Sequence, residues 1–174
     1  MSSNETFTFF SKGSPFSNFY PAKISIKGGT FTCTEQYYMA AKAACFGDME
    51  TLTAIMATDK PFEQKKLGRL VKGFDPAIWD RLSRDVMFRA NFAKYTQHRG
   101  LMQKLFDTGD TTIVEASPWD KLWGIGLEAS DPRAKSRETW LGKNWLGEVL
   151  TELRNGLESM YNEGYGAADT SMVT

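Results

Sequence analysis

Glu35 and Lys42 sit two helical turns apart in the run Phe31–Gly47 (FTCTEQYYMAAKAACFG), which holds good helix formers and no Gly or Pro before its last residue. At about 100° per residue, Glu35, Met39, Lys42 and Phe46 fall on one stripe, with Ala40, Ala43 and Ala44 opposite and suited to close packing. A helix apolar on most faces is normally buried, and a buried carboxylate or amine must be paired or put to use. Two accounts of the pair stand side by side. In the first, Thr32-Cys33-Thr34-Glu35 has the T-x-x-E spacing of a capping box, so Glu35 satisfies a free amide and Lys42 snorkels to water. In the second, the pair does chemistry: a desolvated lysine amine attacks carbon, and a neighbouring acid protonates a leaving group. The cap explains Glu35 and leaves Lys42 without a reason.

Asp120 is the third such residue. It lies between Trp119 and Trp123 in Glu115–Gly126 (EASPWDKLWGIG), where Gly124 and Gly126 let the backbone approach closely. Two indoles beside a carboxylate suit a pocket for a planar base with one fixed acid. Two core tryptophans with Asp120 capping a turn explain the same residues. The loop Ser11–Pro21 (SKGSPFSNFYP) carries three aromatics among its turn residues, which suits a pocket lining or a plug beneath a sheet.

Other chemistries find little support. The single histidine, His98, stands among polar residues and reads as a surface residue; there is no Cys-x-x-Cys and no His-Glu-x-x-His, so no metal site is expected. No Gly-x-Ser-x-Gly turn, phosphate-binding glycine loop or dinucleotide fingerprint is present, and no cofactor is expected.

The elements that must position these residues read as α+β: a mainly α-helical single domain, 6–161, with a small β-sheet, and a mobile small-residue tail at 162–174. Thr6–Phe10 and Thr111–Ala116 read as strands, and Ala22–Ile26 with Thr30–Cys33 as a hairpin through Lys27-Gly28-Gly29. Helices are expected at Asp48–Ala57 and, from Pro61, to Val71. A long helix follows Asp75-Pro76 through Trp79, Leu82, Val86 and Phe92, and a short one covers Leu101–Phe106. In the last, Lys143–Tyr161, the residues Leu146, Val149, Leu150, Leu153, Leu157 and Met160 form one apolar face. Net charge is zero, yet Lys65–Lys104 holds ten Lys or Arg against three Asp, which suits phosphates or a solvated helix face. Cys33 and Cys45, twelve residues apart along a helix, are separated by about 18 Å and cannot pair. With no signal peptide and no membrane span, a cytoplasmic or nuclear location is expected.

Four blocks, FFSKGSPFSNFYP, TCTEQYYMAAKAACFGD, IVEASPWDKLWGIG after a Thr-Gly turn, and NWLGEVLTELR, recur in this order from Phe9 to Arg154. Together they resemble the NADAR domain (NAD- and ADP-ribose-associated), a family of N-glycosidases. Some members act on aminopyrimidine intermediates of riboflavin synthesis and others remove ADP-ribose from the amino group of guanine. The resemblance implies Glu35, Lys42 and Asp120 as catalytic residues. It implies Ser11, Asn18, Phe19, Trp119, Trp123, Gly124, Asn144 and Gly147 as substrate-binding residues. The implied partner is ADP-ribose or a ribosylated nucleotide, free or in ADP-ribosylated DNA or RNA. Both substrate types join ribose C1′ to an exocyclic amine. Such a sugar can open to an imine for Lys42 to attack, or it can be attacked directly by water with Lys42 holding an oxygen. Guanine-linked ADP-ribose is preferred on the strength of the basic middle segment. A non-catalytic ADP-ribose reader is the rival of another class, and it has no use for a buried lysine and acid.

Overall fold

The computed structural model describes residues 5–165. Its N-terminal strand β1 (Phe7–Phe10) runs parallel to β4 (Thr112–Glu115), with Phe10 opposite Glu115. Strands β2 (Ile24–Ile26) and β3 (Gly29–Phe31) form a separate antiparallel hairpin. Its two-residue turn places Lys27 at φ 48° and Gly28 at φ 81°, the paired positive values of a tight hairpin turn. The expected small sheet is therefore two two-stranded pairs.

Among the described residues there are six α-helices, α1 (Thr34–Cys45), α2 (Met49–Met56), α3 (Pro61–Gly68), α4 (Pro76–Gln97), α5 (Arg99–Phe106) and α6 (Trp145–Met160), and two short 3-10 turns at Pro132–Lys135 and Arg137–Thr139. The mainly helical α+β class expected from the sequence is the one observed. Pro61 and Pro76 open α3 and α4, where a missing N–H costs nothing, and Asp75 caps α4 by accepting from Ala77 N at 2.9 Å. Asp48 caps α2 likewise, accepting from Thr51 N at 3.0 Å.

Several local expectations are corrected. The capping box at α1 does not form: Cys33 is the N-cap, and Gln36 rather than Glu35 reaches back, accepting from Thr32 N at 2.8 Å. Helix α3 stops at Gly68, short of Val71. The buried face of α4 holds Trp79, Ser83, Met87, Asn91 and Lys94, while Leu82 and Phe92 are exposed, because α1 and α6 cover it from another side. On α6 the face Leu146 to Leu157 is buried as expected, but Met160 is exposed. The chain then continues as a π-helical turn, Tyr161–Tyr165, so the first residues of the expected tail are helical. Residues 166–174 lie outside those described, as do 1–4 of the polar N-terminus.

Helix α1 packs on α2, α3 and α4, and α6 packs on β4 and α4, so one main core joins Tyr38, Met87, Tyr95, Ile113 and Leu150. Each fully buried aliphatic side chain there contributes about 1.5–3 kcal/mol. Arg154, itself buried, ties α6 to the turn before β4 by donating to Thr108 Oγ1 at 2.8 Å and Thr111 O at 2.7 Å. The start of the strand that carries Glu115 is thus fixed.

Candidate active site

The helical stripe seen in the sequence becomes one wall of a cavity of about 590 Å³, with Glu35, Tyr38, Met39 and Lys42 of α1 facing into it. The N-terminal loop is fastened over the start of α1 by Asn18. Asn18 O accepts from Glu35 N at 3.1 Å, and both Asn18 O and Oδ1 accept from Thr34 Oγ1 at 3.1 and 3.0 Å. Beneath the loop, the fully buried Lys94 donates to Pro15 O and to Ser17 O, the latter at 3.0 Å. The loop is thereby stiff enough to present Asn18 and Phe19 to the cavity.

The opposite wall comes from the end of β4 and the segment after it: Glu115, Trp119, Asp120 and Trp123. Asp120 Oδ1 accepts from Leu122 N (3.0 Å) and Trp123 N (2.8 Å), while Oδ2 lies 3.5 Å from Lys65 Nζ. Asp120 thus caps a turn and lines the cavity at once. Trp123 meets Tyr38 edge-on at 5.4 Å and Trp145 at 5.7 Å. Trp119 is 94% exposed at the rim. Helices α3 and α4 close the third side with Lys65, Arg69, Trp79 and Met87.

Burial dominates the electrostatics. Glu35 is 5% exposed, its Oε1 has no hydrogen-bond partner, and burial pushes its pKa up to about 7 against the pull of Lys65 and Arg69. Glu115 is pushed up to about 7 by burial and then by the charge of Asp120. Lys42 donates to Gly68 O at 2.9 Å and sits 4.2 Å above the Phe74 ring. Burial, then the charge of Arg69, holds its amine below the ordinary lysine range. The arrangement sets protonatable carboxyls beside a fixed carboxylate and a softened amine, the groups acid-assisted cleavage at a sugar carbon requires.

Burial likewise depresses Lys94 to about 7. Between pH 7 and 8.5 the unfolded chain keeps that proton and the folded chain loses it, so stability should rise with pH. The rise attributable to Lys94 is at most about 1.4 kcal/mol per pH unit. Urea titrations at both pH values test this, since Lys94→Met should flatten the rise. An equally steep rise in the variant would place its source elsewhere.

Of the residues expected at the site, Glu35, Lys42, Asp120, Asn18, Phe19, Trp119 and Trp123 come together around the cavity. Ser11 does not. It lies in an adjoining depression that shares Trp119. Gly124, Asn144 and Gly147 do not line the cavity either. They sit behind it, where backbone segments approach too closely for a larger residue: a Cβ on Gly147 would fall 2.0 Å from Ile113 O, and one on Gly124 2.9 Å from Glu115 O. Sequence reasoning passed over Glu115, Lys65, Arg69 and Tyr38. A charge ending a buried β-branched strand marked Glu115, and Lys65 with Arg69 share one helical face at i, i+4.

The family model of the NADAR domain matches residues 6–158. The chain belongs to the NADAR family. The N-glycosidase R617 of Acanthamoeba polyphaga mimivirus is 43% identical to this NADAR chain over 144 residues, covering 80% of this chain and 85% of that protein. Protein irg-1 of Caenorhabditis elegans is 38% identical over 165 residues, covering 86% and 78%. The solved structure of the E. coli protein YbiA superposes with a TM-score of 0.75 at 29% identity, covering 92% of this chain and 90% of that one. This chain thus joins the NADAR fold to an acid-lined cavity, and relatives such as R617 bear the name N-glycosidase, a hydrolase of N-glycosyl bonds.

Proposed function

We propose that this NADAR protein is an N-glycosidase that removes ADP-ribose from the exocyclic amine of guanine, free or in nucleic acid. The observation that carries the reading is the composition of the cavity. Glu35, Glu115 and Asp120 line the same cavity as the basic residues Lys42, Lys65 and Arg69. The acids serve the C1′–N bond, and Lys65 with Arg69 suits the two phosphates of a diphosphate. The exposed Trp119 at the rim offers a face for a further planar ring. A second reading, hydrolysis of a ribosylaminopyrimidine phosphate of riboflavin synthesis, is favoured by the volume: about 590 Å³ encloses a one-ring nucleotide entirely. A pure reader of ADP-ribose has no use for two buried carboxyl oxygens without partners, one on Glu35 and one on Glu115.

The protein incubated with ADP-ribosylated guanine DNA should release ADP-ribose, and incubated with the ribosylaminopyrimidine phosphate it should release little sugar. The reverse pattern supports the riboflavin reading, and release from neither removes both. We further propose that Lys42 forms an imine with the opened sugar. Borohydride added during turnover should then leave a stable sugar mass on the peptide containing Lys42. Lys42→Arg should lose adduct and activity together, because a guanidinium stays protonated and cannot attack carbon. An active, untrappable Lys42→Arg enzyme would remove the imine and leave the N-glycosidase reading in place.

A further inference from the structure

Four acidic residues line the cavity, Glu35, Asp80, Glu115 and Asp120, and Asp120 is held there by two backbone amides and Lys65. Glu35 Oε1 and Glu115 Oε2 are buried with no hydrogen-bond partner at all. The backbone of Glu115, by contrast, is pinned on both sides. Its N–H donates to Asn144 Oδ1 at 3.0 Å, and its carbonyl accepts from Ile125 N at 3.0 Å and Ser117 N at 3.1 Å. Asn144 stands at φ 54° and donates from Nδ2 to Ile113 O at 3.0 Å, so its side chain bridges two points of β4. Gly147 leaves room for that bridge, and Gly124 leaves room for the Glu115 carbonyl. The residues of the Trp-Gly turn and of the α6 start that miss the cavity therefore converge on one strand end. So much fixing of the main chain, around a side chain left without a donor, suits a group kept ready for something outside the protein.

We propose that Glu115 is a second catalytic carboxyl, holding one proton jointly with Glu35, and that the two form the acid–base couple of the reaction. This rests on the N-glycosidase reading above. Burial first, then the charges of Asp120 and Glu35, raises the Glu115 pKa, and Lys65 opposes them. Around Glu115 the facing charges are Glu35 from α1, Lys65 and Arg69 from α3, and Asp120 from its own segment; Lys42, Asp80 and Lys121 complete the charges of the wall. The proton count closes over one turnover. The C1′–N bond breaks with its electron pair passing to the amine nitrogen, which takes the proton of the protonated carboxyl. A water oxygen forms the new bond to C1′ and gives its proton to the ionised carboxyl. The couple ends with one proton, as it began, whether or not Lys42 holds C1′ in between.

Carboxyl ¹³C NMR titration of the glutamates reads the shared proton without any substrate. Because two groups that share a proton couple reciprocally, Glu115→Gln should lower the Glu35 pKa, and Glu35→Gln the Glu115 pKa. Glu115→Gln should also reduce sugar release about 10²-fold and turn a two-limbed pH profile into a single limb, with the melting temperature retained. The double variant should be little worse than either single one, as for groups that act as a unit. An unchanged Glu35 titration in Glu115→Gln overturns the shared proton. Shifted titration with parental turnover and pH profile overturns the catalytic role. Should the parent protein release sugar from no ribosylated amine, the function reading is what fails, and the couple's catalytic role falls with it; the NMR coupling still reports separately whether the two glutamates share a proton.

Discussion

Glu35→Gln is expected to lower turnover about 10²-fold or more while leaving the protein as stable as the parent, or more so, at neutral pH. Gln preserves the volume of the side chain and removes its proton chemistry. Helix α1 loses no cap, because Gln36 and not Glu35 reaches back to Thr32 N. The expected gain in stability follows from the direction of the pKa. Burial raises Glu35 from 4.5 to about 7. As the pH climbs through that window the unfolded chain releases the proton and the folded chain keeps it, so stability is lost on the way up. Glu115 contributes a loss of the same sign over the same range. Thermal melts at pH 5 and pH 7.5 should show the parent less stable at the higher pH, with a smaller difference in Glu35→Gln. A variant that melts early and turns over normally would make Glu35 a structural residue.

Gly147→Ala is expected to be strongly damaging for a change of one methyl. Its Cβ would stand 2.0 Å from Ile113 O and 2.4 Å from both polar atoms of the Asn144 side chain. The neighbour is backbone of β4, which cannot swing away as a flexible side chain would. Helix α6 must withdraw from β4, or the Asn144 bridge must break, with a cost on the order of 3 kcal/mol. For a chain of this size that is a fall in melting temperature of roughly 6–12 °C. Turnover should fall as well, because the same bridge holds the Glu115 amide. Gly156→Ala is the control. It lies in the same helix with nothing within 4 Å of the new methyl, so it should raise stability by roughly 0.5–1 kcal/mol. Equal melting temperatures for the two variants would show that α6 does not need its close approach to β4.

What the sequence determined by itself was whatever is written in neighbouring residues. The capping Asp48 and Asp75, Pro61 and Pro76 at helix starts, Lys27-Gly28 in the hairpin turn and the apolar face from Leu146 to Leu157 each act within a turn or two of chain, and each element formed where they point. The order of four blocks carried the family, and the 3.6-residue period put Glu35 and Lys42 on one face. Which polar atom meets which partner was decided only by tertiary packing. Thr32 and Glu35 have the spacing of a cap, yet the docking of Asn18 over the helix start and the reach of Gln36 leave Glu35 free to face the cavity. Glu115 gains its place from a parallel strand more than a hundred residues away in sequence, and from Asn144 on the far side. Asn144 and Gly147 look from the sequence like pocket residues, but contact with β4 makes them supports. The reason is the same throughout: periodicity says which side chains share a face, whereas burial, and with it the demand that each polar group be paired or used, exists only once distant segments have closed around it.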